Sequence, residues 1–111
     1  MGLIASQMRI MYLKAYKFDL EYKMQICTQT KLGLSSANSD LMSIGTDMDP
    51  DSEAVKKLEQ RKERLNAMEK KIDMQMALYE SRLKMIETEL QSCQELLDKN
   101  ISSSFSYGGG R

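Results

Sequence analysis

After Pro50 the chain runs to Ile101 with neither Gly nor Pro, the two residues that most readily interrupt a helix. Through the second half of that run, apolar residues recur at alternating spacings of three and four: Met76, Tyr79, Leu83, Ile86, Leu90, Cys93 and Leu97. An α-helix turns once per ~3.6 residues, so this alternation draws one narrow stripe along a helix, the seam of a coiled coil. A seam of this kind needs a partner. The first question for this chain is therefore what lies against it.

The heptad register sharpens that question. With d at Leu58, Leu65, Ile72, Tyr79, Ile86, Cys93 and Asn100, the a positions are Val55, Lys62, Glu69, Met76, Leu83, Leu90 and Leu97. Lys62 and Glu69 put charge into the first half of the stripe, which suits a hairpin contact. From Met76 onward the a positions are wholly apolar, and Met76, Tyr79, Leu83, Ile86, Leu90, Cys93 and Leu97 form the candidate interaction seam.

Residues 2–32 read as a first helix with two apolar stripes. One holds Ile4, Met8, Met11, Ala15, Phe18, Tyr22 and Ile26; the other holds Leu13, Tyr16, Leu20, Met24 and Cys27. Polar residues separate them, with Lys14, Lys17, Glu21 and Gln25 on one side and Asp19, Lys23 and Thr30 on the other. A helix packed on one neighbour needs one stripe. Two stripes imply two contacts, either within a bundle or with one of them between molecules. The stripe from Leu13 to Cys27 is taken as the second contact surface.

Gly33 is placed as a helix stop, and the Ser-, Asn- and Asp-rich stretch after it reads as an irregular connection over 33–49 with room for a short helical turn. Asp49 is the expected N-cap of the second helix and Pro50 its first residue, where no N–H is required. That helix is expected over 50–101, followed by a flexible Ser/Gly tail over 102–111. A first helix of about thirty residues, folded back antiparallel, would cover the second only to about residue 80. The fold class expected is all-α: a two-helix antiparallel hairpin whose long C-terminal helix extends as a coiled coil, in a single domain over 1–101.

Charge and chemistry narrow the function classes. Sixteen basic and sixteen acidic residues cancel, so no global field favours nucleic acid or an anionic membrane. The basic residues between Lys56 and Lys71 share their turns with Glu59, Glu63 and Glu69 and lack interleaved aromatics, which weakens a nucleic-acid footprint. There is no His, and Cys27 and Cys93 share no metal-ligand spacing and sit at apolar helical positions. No phosphate-binding glycine loop or metal motif occurs, so neither an enzyme nor a cofactor is expected. No apolar run is long enough to span a membrane, and no cleavable leader is evident, which leaves a cytoplasmic protein or one exported without a cleaved signal. Met1-Gly2-Leu3-Ile4-Ala5-Ser6 matches the myristoylation pattern, so a peripheral membrane adaptor is a further reading.

Two resemblances accompany this reading. Gly2-x-x-Ala5-Ser6-Gln7-x-Arg9 with Asp19-x-Glu21-Tyr22-x-x-Gln25, and the ending Leu97-Asp98-Lys99-Asn100-Ile101-x-x-Ser104-Phe105, resemble blocks on uncharacterised helical proteins of gut-associated bacteria. The layout of helix, turn with Asp49-Pro50-Asp51-Ser52 and longer helix is similar to the helical-hairpin subunits of type III secretion needles. Those subunits polymerise through both helices, have a shorter connection and end in ordered helix. Taken together, the chain reads as a non-enzymatic structural or assembly subunit. Its expected partner is a copy of itself or another helical protein, with a secreted bacterial filament subunit or translocated substrate as the alternative and a membrane surface less favoured.

Overall fold

Two helices account for nearly all of the chain. In a computed structural model that describes residues 2–46 and 48–109, α1 spans Leu3–Gly45 and α2 spans Glu53–Gly109. They form an all-α, two-helix antiparallel hairpin. The packing divides into two units, one joining the α1 segment up to Tyr22 with the α2 segment from Tyr79, the other comprising Lys23–Leu78.

α1 is longer than its composition suggests. Instead of stopping at Gly33 it continues to Gly45, so the connection expected over 33–49 is mostly helix. The reason lies in the inward face. Leu34, Ala37, Asn38, Leu41 and Gly45 are half-buried, carrying the three- and four-residue spacing of the inner stripe beyond the buried Cys27. Burial along that face outweighs the low helix propensity of the Ser-rich stretch, each such residue costing only a few tenths of a kcal/mol relative to Ala. A side chain at Gly33 would meet open space, so this glycine neither breaks the helix nor admits a close neighbour.

In the Lys23–Leu78 unit the two segments run in opposite directions. Lys31 Nζ lies 2.6 Å from Asp73 Oδ1, Asn38 Nδ2 donates to Asn66 Oδ1 at 3.4 Å, and Gly45 stands against Leu58. The hydrogen bond to Asp73 raises the Lys31 pKa above the ordinary lysine value. Every a and d position from Val55 to Met76 is buried or half-buried, including the charged Lys62 and Glu69.

The turn before α2 revises the expected cap. Ser52, rather than Asp49, is the N-cap: its Oγ accepts the Val55 N–H at 3.3 Å, and α2 starts at Glu53. Asp49 and Pro50 belong to the preceding turn, which the Ser52 N–H closes onto the Asp49 carbonyl at 3.1 Å, with Pro50 at the position that favours its fixed φ. The Asp49 carboxylate accepts from the Asp51 N–H at 3.3 Å and holds that turn. Glu53, at the first helical position, meets the positive end of the helix dipole.

The far end of α2 differs from expectation as well. The helix runs to Gly109, so the tail expected over 102–111 is helical as far as 109, and residues 110 and 111 lie outside the described residues. Without a Pro to stop it, an established helix propagates at little cost per residue.

Gly45 is the glycine with a close neighbour among those described: a Cβ placed there would lie 2.8 Å from Leu58 Cδ2, so the leucine side chain would have to shift. Gly45→Val is therefore expected to lower stability by about 1–3 kcal/mol through overpacking. In thermal melts the Gly45→Val/Leu58→Ala double variant should lose less than the two single losses combined, because removing Cδ2 clears the clash.

Candidate functional site

The seam expected to meet a partner lies in the other unit, and α1 covers it. Ile10, Leu13 and Leu20 of α1 form one buried cluster with Ile86, Cys93 and Leu97 of α2, and Tyr16, Tyr79, Leu83 and Leu90 pack around it. Residues 83–101 do not project uncovered. With 43 residues α1 is long enough to lie beside them, whereas a helix of about thirty would fall short. The two surfaces proposed for separate contacts, the α2 seam and the Leu13–Leu20 stripe, thus face each other. Met76, Met24 and Cys27, the remaining members of those sets, belong to the Lys23–Leu78 unit, with Cys27 buried and the two methionines half-buried.

Burial decides the energetics of this pairing. Leu13 and Leu20 are 2% and 1% exposed, and each fully buried leucine contributes about 1.5–3 kcal/mol. Polar contacts flank the cluster at its solvent edge. Arg9 reaches Glu89, with Nε at 3.0 Å from Oε1, and the guanidinium lies 5.4 Å from the Tyr12 ring centre. The hydrogen bond to Glu89 raises the Arg9 pKa further, so the guanidinium carries its charge throughout the ordinary pH range. Tyr12 stacks with Tyr16 at 6.4 Å, and Lys17 Nζ lies 3.6 Å from Glu87 Oε1. These pairs are exposed and screened, so they tune register more than they hold the helices together.

With the inner stripe engaged, the other stripe of α1 points outward. Ile4, Met8, Met11, Phe18 and Tyr22 are between 63% and 72% exposed, and Ala15 lies open among them. On α2 in the same unit, Met85 stands exposed beside Lys84, Thr88 and Glu89, and Leu96 and Ile101 are partly exposed further along. Among the described residues of this unit, the outer stripe of α1 is the longest row of well-exposed apolar side chains.

No known protein family, curated protein or solved structure matches the chain. The arrangement must be read from its own chemistry. Among the described residues no three His, Cys, Asp or Glu side chains converge to hold a metal ion, and no helix is long and apolar enough to cross a membrane. Both thiols are buried, Cys93 inside the cluster and Cys27 in the Lys23–Leu78 unit, where they act as small apolar side chains. The depressions along the unit that holds the cluster are shallow; one is bounded by Lys14, Lys17, Phe18, Glu21 and Leu90.

Both α1 stripes are legible in the sequence, but which of them faces α2 is not given by local spacing. The distinguishing signal was available: the inner spacing continues through Leu34, Leu41 and Gly45, whereas the outer stripe meets Gln29 and Gly33 after Ile26. Only a stripe running the length of α1 can match a seam running the length of α2.

Leu20→Ala should cost about 2–5 kcal/mol in chemical denaturation. Phe18→Ala, on the opposite face, should leave the monomer's stability within about 0.5 kcal/mol. Ser6 tests the seam differently, because it is fully buried and its hydroxyl has no hydrogen-bond partner among the described residues. Ser6→Ala removes that orphaned group and should raise the melting temperature, by the equivalent of up to about 1 kcal/mol.

Proposed function

We propose that this chain is a non-enzymatic structural or assembly subunit that associates with a helical partner through the outer stripe of α1. One observation carries the reading: the unbroken row of Ile4, Met8, Met11, Ala15, Phe18 and Tyr22 on the face of α1 turned away from α2. Its five large side chains are each 63–72% exposed, and a row of apolar residues along one face is the kind of surface that marks an interaction site. The inner seam supports the reading by its closure. Since α1 already occupies the Tyr79–Leu97 stretch, an incoming helix meets the outer stripe first.

A second reading, a filament subunit of the kind that builds secretion needles, is favoured by two structural details. The link between Gly45 and Glu53 is short, and α2 stays helical to Gly109, as in the ordered helical ends of such subunits. Negative-stain microscopy separates filaments from small oligomers.

Light scattering on the purified chain tests the assembly reading. A mass above the 12.7 kDa of one chain is expected, falling to that of the monomer in Phe18→Asp with helicity unchanged by circular dichroism. A helical monomer at every concentration would contradict it.

A further inference from the structure

In the Lys23–Leu78 unit the charges of α2 are mixed along the chain but separated around the helix. The a and d positions turn toward α1, which leaves c, f and g on one exposed side. From Ala54 to Leu78 those three positions hold four cations, Lys57, Arg61, Arg64 and Lys71, and no acid. The carboxylates of the same turns are drawn elsewhere. Glu69 is half-buried at an a position, where its charge acts on Lys31, and Asp73 at e lies 2.6 Å from the Lys31 ammonium. Glu59 occupies e and Glu63 occupies b, while α1 brings one carboxylate, Asp40, to this unit. Among the described residues no carboxylate pairs with any of the four cations.

Apolar side chains share this acid-free face: Met68, Met74 and Leu78 are 52%, 73% and 49% exposed. The row from Lys57 to Leu78 is about 30 Å long at 1.5 Å per residue. Cations interleaved with exposed apolar groups fit an anionic lipid surface, whose headgroups attract the first and whose acyl boundary takes up the second. Nucleic acid would use the cations but leave Met74 and Leu78 in water, and no aromatic residue lies between Ala54 and Leu78 for a base to stack on. We propose that this face of α2 lays the Lys23–Leu78 unit on an anionic lipid surface, with Lys57, Arg61, Arg64 and Lys71 on the headgroups and Met68, Met74 and Leu78 at the acyl boundary. The contact is peripheral. It belongs to the other unit from the outer stripe of α1 and does not rest on the assembly reading.

Cosedimentation of the full chain with phosphatidylcholine vesicles, with and without phosphatidylserine, tests this. Binding is expected only where phosphatidylserine is present, and it should weaken as salt rises. Neutralising three cations together, Lys57→Gln/Arg64→Gln/Lys71→Gln, should lower the partition coefficient roughly hundredfold, about fivefold for each charge. Met74→Ser/Leu78→Ser should lower it as well, with helicity unchanged by circular dichroism in both variants. The same ratios are expected in a Phe18→Asp background, which separates this face from the outer stripe of α1 and from assembly. No binding to phosphatidylserine vesicles at low salt, or binding that the triple variant retains, would overturn the proposal. Loss of binding on Phe18→Asp alone, with no further effect of the triple variant, would move the lipid contact to α1 and overturn it too. Binding indifferent to Met74→Ser/Leu78→Ser, with duplex DNA taken up through the same cations, would mark a general polyanion face and overturn the lipid assignment.

Discussion

The burial of Leu13 and Leu20 against Ile86, Cys93 and Leu97 is the contact on which the rest of this molecule depends. It is dry, apolar and built from the a and d positions of α2, so its strength comes from surface removed from water. The ion pairs at its edge are solvated and contribute comparatively little. Once the inner face of α1 is committed to this cluster, the other stripe is left exposed, with Phe18 bordering the shallow depression that Leu90 also lines. The exposed stripe from Ile4 to Tyr22 is a consequence of how the core forms.

That consequence bears on function. Chains that need only fold have no use for a second apolar row of this length, since exposed Ile, Met, Phe and Tyr invite indiscriminate association. Confinement to one helical face, with mixed charges at its borders, gives the row the character of an interface.

Much of the fold was legible in the sequence. The a and d positions assigned on α2 from Val55 to Asn100 are all buried or half-buried, because an uninterrupted heptad repeat admits one inward face. The extent of α1 was obscured by Gly33 and the Ser-rich stretch, which are local signals of a break that the inward Leu34 and Leu41 override. The cap was misplaced by three residues, since Asp49, Asp51 and Ser52 all carry capping oxygens and only the three-dimensional structure shows that the Ser52 hydroxyl serves the Val55 N–H. Hardest to read was which of the α1 stripes faces α2. Local spacing makes both equally good, and the choice is set by their lengths.

The central claim is that α1 divides its faces, the inner to its own α2 and the outer to another molecule. Isotope-filtered NMR on an equal mixture of carbon-13-labelled and unlabelled chains reads this directly, since it detects only contacts between molecules. The account predicts intermolecular contacts at the Phe18 ring, the Met8 and Met11 methyls and the Ala15 methyl, with none at Ile86 or Leu97. Intermolecular contacts centred on Leu83, Ile86 and Leu90, with Phe18 silent, would contradict it.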